Sequence, residues 1–334
     1  MCYSFLLMVT VYRKEDSKII KDSSPEALKN INKENAVWID VLEPDKVSVR
    51  AMDDLIKSGI LNMSQVEEIE GASEFSEGSD GILTSPNFFV LKDHSLEVEP
   101  VGFIITQDGV MVSLRHSELD AFKDIDNRLE DMDGEKTDGY TLLVDILQSR
   151  IDHDATIVEH VSQEITDLSK DISGSNKIEK SLLYRIISLQ EKTMILRENT
   201  FDLQKVLSGI LRSKSFTGEQ RDEAELMLKD VNSLISHAEF GFQRLDYFQD
   251  TALGLINIDQ NEIMKIFSVA AVIFMPPTLV ASVYGMNFKY MPELNWAWKL
   301  QNGWVVPAGY LFAMFLMVVF TLLTVGFFRY KKWL

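Results

Sequence analysis

A single cysteine, Cys2, stands in 334 residues, so no disulfide can form within the chain and a reducing compartment fits it. Basic residues are also short: 33 Lys and Arg against 51 Asp and Glu leave a formal net charge of −18. That balance argues against a nucleic-acid partner, because phosphate binding needs a basic footprint. Catalytic and nucleotide motifs are missing too. The chain has no P-loop, no GxGxxG, no HExxH and no cysteine–histidine zinc spacing. It therefore reads as a non-enzyme without an organic cofactor. The acidity by itself decides nothing, since acid-rich solvated helices are common.

Charge is absent from two long stretches near the C-terminal end. Ile266–Tyr284 (19 residues) and Val305–Phe328 (24 residues) carry no Asp, Glu, Lys or Arg. A helix needs about 20 apolar residues to cross a bilayer, so both are read as transmembrane spans rather than core helices. The rest of the chain, up to residue 263, is charged and soluble in character. Met1–Thr10 is apolar but short, has no basic leader and alternates like a strand, so it is not read as a signal peptide. Lys265 precedes the first span, and Arg329, Lys331 and Lys332 follow the second, while the connecting loop holds Lys289, Lys299 and Glu293. The positive-inside bias then puts both termini in the cytoplasm and a short loop outside a cell (inner) membrane.

The first 138 residues read as a mixed α and β cytosolic domain. Strands are expected at Tyr3–Val11, Ala36–Val41, Phe88–Leu91, Leu96–Thr106 and Val110–Leu114, with Asp108-Gly109 as a hairpin turn. Asp45–Ser58 and Ser64–Glu70 look helical, and Gly71–Asp80 and Asp131–Asp138 read as loops. Residues 139–262 turn helical: Tyr140–Ile172, then Lys177–Arg212, then a third helix from Glu219 with no proline before Pro276. Continued to Tyr284, that helix would be about 100 Å long, a stalk entering the membrane. The expected order is thus a cytosolic αβ domain (1–138), a helical stalk (139–262), a first span (263–285), an external loop (286–304), a second span (305–328) and a basic tail (329–334).

Two sets of residues invite a cation. Asp152-His153-Asp154 with His160 has the chemistry of a metal cluster, although such residues more often form the wet face of a helix. The second set appears on stepping from Asp250 by alternate fours and threes, through Gly254, Asn257, Asn261, Met264, Ser268, Ala271, Met275, Thr278 and Ser282. This step keeps one face of a long helix on a common axis. The face runs from acid to amide, through Met and small residues, to hydroxyls, with bulky Phe267 beside it. It suits a cation path, yet small residues and Met also serve helix packing. From spacing alone both readings stay open.

Tyr284-Gly285-Met286-Asn287 ends the first span and leads to Met291-Pro292-Glu293-Leu294, with Lys331-Lys332-Trp333-Leu334 after the second. This arrangement resembles the CorA family of Mg2+/Co2+ channels, whose signature is GMN followed by an MPEL-type loop. The likeness continues through Asn261-Glu262-Ile263-Met264-Lys265 and Ile273-Phe274-Met275-Pro276, and more faintly through Val37–Asp40 and Val98–Phe103. The resemblance implies a funnel-shaped homopentamer in which the first span lines a pore for Mg2+, with Co2+ or Ni2+ as possible passengers. It implies a selectivity filter at Gly285, Met286 and Asn287, with five Asn287 amides ringing the mouth. It also implies pore-lining positions at Asn261, Met264, Phe267, Met275 and Thr278, with an acidic ring at Asp250.

The family's closure by cytoplasmic Mg2+ would fall to Glu67 and Glu68 in the αβ domain. Their expected stalk partner is replaced here by Ser233, so either Asp230 substitutes for it or the sensor is weakened. Lys289 is a further departure, at a loop position often acidic. A ZntB-type zinc transporter typically has Gly-Ile-Asn where this chain has Met286, and a membrane-anchored coiled-coil scaffold without flux is the competing reading from another class.

Overall fold

The computed structural model describes residues 8–15, 18–24, 27, 35–42, 75–92, 95–129, 134, 136–174, 179–287, 289–299 and 305–331. The expected helices at Asp45–Ser58 and Ser64–Glu70, and the pair Glu67 and Glu68, lie outside these. The chain divides into two compact units, one ending at Asp250 and one beginning at Thr251.

The first unit is built on strands β1 (Met8–Glu15), β2 (Lys18–Asp22), β3 (Ala36–Leu42), β4 (Ser76–Gly78), β5 (Gly81–Thr84), β8 (Gly102–Thr106) and β9 (Met111–Arg115). They form a sheet in the order β2-β1-β3-β9-β8-β5-β4. β3 and β9 pair in parallel, and the other neighbours are antiparallel. β3 and β8 read as near-continuous apolar runs because both faces of the sheet centre are buried. Along β8 and β9 alternate side chains supply two cores: Phe103, Ile105 and Met111 on one face, Ile104 and Val112 on the other. The first face is covered by helices α1 (Asp120–Leu129), α2 (Gly139–Gly174) and α3 (Lys180–Arg212), and by the start of α4 (Gly218–Tyr284). Along α4, Ala224, Met227, Val231 and Ile235 recur at threes and fours and bury their side chains in that core.

Several expectations need correction. Leu96–Thr106 is two strands, not one. β7 (Ser95–Pro100) pairs with β6 (Asn87–Lys92) in a separate ribbon, and the chain re-enters the main sheet only at Gly102. Pro100 has no N–H to extend the ladder, and Val101 N donates instead to Pro86 O at 3.0 Å. Within the expected loop Gly71–Asp80, Ser76–Gly78 is an edge strand whose polar residues are all exposed. The Asp108-Gly109 turn is present, with Gly109 at φ 79°. Gly81 is held at φ +129°, where a Cβ would meet the Ile105 carbonyl oxygen at 2.0 Å.

In the second unit, α4 continues to Tyr284 through Pro276 and Pro277. Each proline withdraws a donor from the carbonyl four residues back. The second long apolar helix, α5 (Ala308–Tyr330), begins three residues later than expected. Val305–Pro307 is taken by β11, which pairs antiparallel with β10 (Ala297–Lys299) in the connecting loop. A short 3-10 turn, Pro292–Asn295, precedes that hairpin.

Candidate functional site

The candidate path residues all fall on α4, and exposure alone does not pick out their face. Asn261 to Ser268 is exposed on every side of the helix in a single chain. Phe267, Met275 and Met264 are each more than 60% exposed, and Asp250, Asn257, Ala271, Thr278 and Ser282 are exposed as well. The apolar windows of α4 and α5 are only 6% and 11% buried. So much bare apolar surface demands lipid or further chains around it. Ser268 Oγ donates to Met264 O and Thr278 Oγ to Phe274 O, both at 2.7 Å. With each proton committed to the backbone, these hydroxyl oxygens present only lone pairs outward.

Gly285, Met286 and Asn287 follow the last turn of α4, and all three are exposed. Gly285 N donates to Ala281 O at 2.8 Å, closing the helix. Gly285 does not take a positive φ, and a Cβ would stand 3.0 Å from the Ala281 oxygen. Lys289 and Tyr290 are exposed just beyond.

The second set does not converge. Asp152 is exposed and accepts from Gln148 at 3.2 Å, whereas Asp154 is buried beside Arg150, their nearest atoms 3.4 Å apart. Two residues apart on a helix, the carboxylates point to opposite sides. His153 Nε2 pairs with Asp124 Oδ2 at 2.8 Å, and His160 Nδ1 with Glu164 at 3.0 Å. Among the described residues no group of three or more His, Cys, Asp or Glu is placed to hold a metal ion. Asp230 is exposed on α4, as is Ser233.

Sequence reading missed a buried polar centre. Arg150 is 1% exposed, and its Nη2 donates to the backbone O and Oδ1 of Asn199 at 3.3 and 3.2 Å. The signal was available: Arg150 and Asp154 fall in step with the apolar stripe Leu147, Ile151, Val158, Val161 and Ile165 of α2. Burial raises the Asp154 carboxyl to about 6 and lowers the Arg150 guanidinium. A second carboxyl on α2, Asp145, is pushed up to about 6 by burial and by Glu223.

Comparison with known proteins gives a consistent result. The family described as CorA-like Mg2+ transporter protein matches residues 33–331. The magnesium transport protein CorA of Wolinella succinogenes is 30% identical over 332 residues, covering 98% of this chain and all of the relative. That of Escherichia coli strain K12 is 31% identical over 331 residues, with 98% and 100% covered. Among solved structures, the CorA magnesium transporter from Methanocaldococcus jannaschii superposes with a TM-score of 0.77 at 21% identity, each chain covered fully.

Proposed function

The chain belongs to the family of CorA-like Mg2+ transporter proteins, and on that premise we propose that it carries hydrated Mg2+ across the cell membrane through a pore shared by several copies of itself. The observation that carries this reading is the family match over almost the whole chain, with Gly285-Met286-Asn287 at the end of the apolar half of α4. The pore is a homopentamer with both termini cytoplasmic. Its wall is the α4 face through Asp250, Asn257, Asn261, Met264, Phe267, Ala271, Met275, Thr278 and Ser282.

The chemistry follows from the ion. Mg2+ sheds its octahedral water shell reluctantly. Amide oxygens of Asn287 accept hydrogen bonds from those waters without stripping them. Further in, Ser268 and Thr278 offer oxygens whose protons are already spent within the helix, so they too act as acceptors toward a hydrated cation. Asp250 supplies negative charge at the other end of the path. A doubly charged ion gains about 4.6 kcal/mol per 100 mV of membrane potential, enough to direct uptake without ATP. Met264 and Phe267 form the constriction, and cytoplasmic Mg2+ bound by Glu67 and Glu68 with Asp230 holds it closed. Asp154 has no part in that sensor, since its carboxylate faces Arg150.

Flux into proteoliposomes loaded with a Mg2+-sensitive dye tests the reading, with Asn287→Ala as comparison and parallel Zn2+ and pH-gradient arms. Voltage-driven Mg2+ entry that disappears in an intact Asn287→Ala oligomer is the expected result. Zn2+ entry that requires a proton gradient would move the chain to the zinc-transporting branch. No flux of either ion from a verified oligomer at low internal Mg2+ would favour a scaffold.

A further inference from the structure

Helix α5 carries an exposed tyrosine near each of its ends, Tyr310 and Tyr330. The stretch between them is uncharged as far as Arg329. Their separation along the helix, at about 1.5 Å per residue, is about 30 Å, the thickness of a bilayer's hydrocarbon core. Tyrosine and tryptophan, each an apolar body with one polar group, gather at the two faces of that core. The two tyrosines therefore set the depth of α5, and with it the depth of anything tied to its first turn.

The β10–β11 hairpin is tied there. Its second strand, Val305–Pro307, runs straight into Ala308. Just before its first strand, the backbone O of Trp296 accepts from Gly309 N at 3.2 Å. The Trp296 ring also meets that of Phe312, one turn further down α5, with centroids 5.8 Å apart. These contacts hold the hairpin beside the first turn of α5 instead of letting it stand away in water. Trp298 pairs with Val306 across the ladder. At about 3.3 Å per strand residue, it stands no more than about 7 Å beyond the start of the helix. The headgroup layer on each side of a bilayer is about 5–7 Å deep. Trp298 is 70% exposed, an apolar ring left bare at the depth where lipid headgroups lie.

Resting on the reading of α5 as a transmembrane span, we propose that this hairpin is a membrane-surface anchor. Trp298 inserts its indole among the glycerol and carbonyl groups of the phospholipid leaflet at the N-terminal end of α5. The ring is buried in that layer, and its Nε1–H donates to a lipid carbonyl or phosphate oxygen. The loop between the two apolar helices is thereby held down on the membrane surface.

The test is fluorine NMR of the full-length protein, labelled with fluorotryptophan, in phosphatidylcholine nanodiscs. Trp298→Phe assigns the Trp298 line among the five tryptophans. Lipid bearing a nitroxide high on its acyl chain reports the headgroup boundary, and a soluble gadolinium chelate reports water. Val318→Trp adds a line from the middle of α5, read with a nitroxide near the chain end. The Trp298 line is expected to at least double in width with the shallow lipid nitroxide. Broadening by the chelate alone would leave the hairpin in water and overturn the proposal. A line that neither agent touches would place Trp298 against another copy of the chain and overturn it too. The Val318→Trp line separates the two readings. If the deep nitroxide broadens it while Trp298 stays sharp, the anchor falls and the span stands; if it stays sharp as well, both fall.

Discussion

Arg115 closes on Asp40 across the parallel pair β9–β3, with Nε and Nη2 at 3.1 and 2.8 Å from Oδ2. Ser113, the register partner of Asp40, donates to its other oxygen at 2.7 Å and accepts from Trp38 Nε1 at 2.8 Å. The carboxylate therefore locks the one parallel seam identified in this sheet to the aromatic core, where Tyr12 stacks on Trp38 with ring centroids 4.5 Å apart.

Removing one partner leaves the other charge buried. Arg115→Ala should destabilise the αβ unit by about 3–5 kcal/mol, whereas Asp40→Asn combined with Arg115→Met should cost less. Urea unfolding followed by near-UV circular dichroism measures both. A double variant as damaged as the single one would show that the charges themselves are required.

Asp145 gives a pH-dependent prediction. Its carboxyl is raised from 3.8 to about 6 by burial, then by the charge of Glu223. Between those values the folded chain holds more protons than the unfolded one, so stability falls as pH rises through that window. Asp145→Asn should stabilise the protein by roughly 1–2 kcal/mol above neutral pH, after allowance for partial solvent screening. The gain should fade as pH drops from 6 towards 3.8. Unfolding midpoints across that range decide it, and a gain independent of pH would point to something other than the charge.

Gly81→Ala should weaken the β5–β8 pairing. The residue sits at φ +129° with the Ile105 carbonyl where a Cβ would stand, and the loss should be about 2 kcal/mol or more. Thermal unfolding measures it. An unchanged midpoint would mean that the turn relaxes without strain.

If Met264 and Phe267 narrow the pore, Phe267→Gly or Met264→Gly should leak Mg2+ when internal Mg2+ is high. Proteoliposome flux at high and low internal Mg2+ reads this directly. Variants that still close fully would move the gate elsewhere.

Much of the architecture was legible because it depends on local pattern. Two uncharged runs announced the apolar helices, and unbroken 3.6-residue periodicity gave α2, α3 and α4 to within a few residues. Gly285-Met286-Asn287 at the end of a span identified the family, since that motif is contiguous. Edge strands were not legible. Ser76–Gly78 is fully exposed and pairs through its backbone, so no apolar signal marks it, and Lys18–Asp22 sends only Ile19 into the core, too little to mark a strand. Leu96–Thr106 misled for the opposite reason: its apolar residues run through Pro100, and only the pairing partners reveal that it serves two different sheets.

By itself, then, the sequence determined the helices, the apolar spans and the family, because each is written in residues near one another along the chain. Tertiary structure decided which charges are buried and what they meet. Asp40 with Arg115 and Arg150 with Asn199 are tens of residues apart, and Asp154 looked like one member of a wet acidic cluster until packing turned it inward. Burial is a property of the fold around a residue. It was three-dimensional packing that buried Arg150 and Asp154 beside Asn199 and the Phe88 ring.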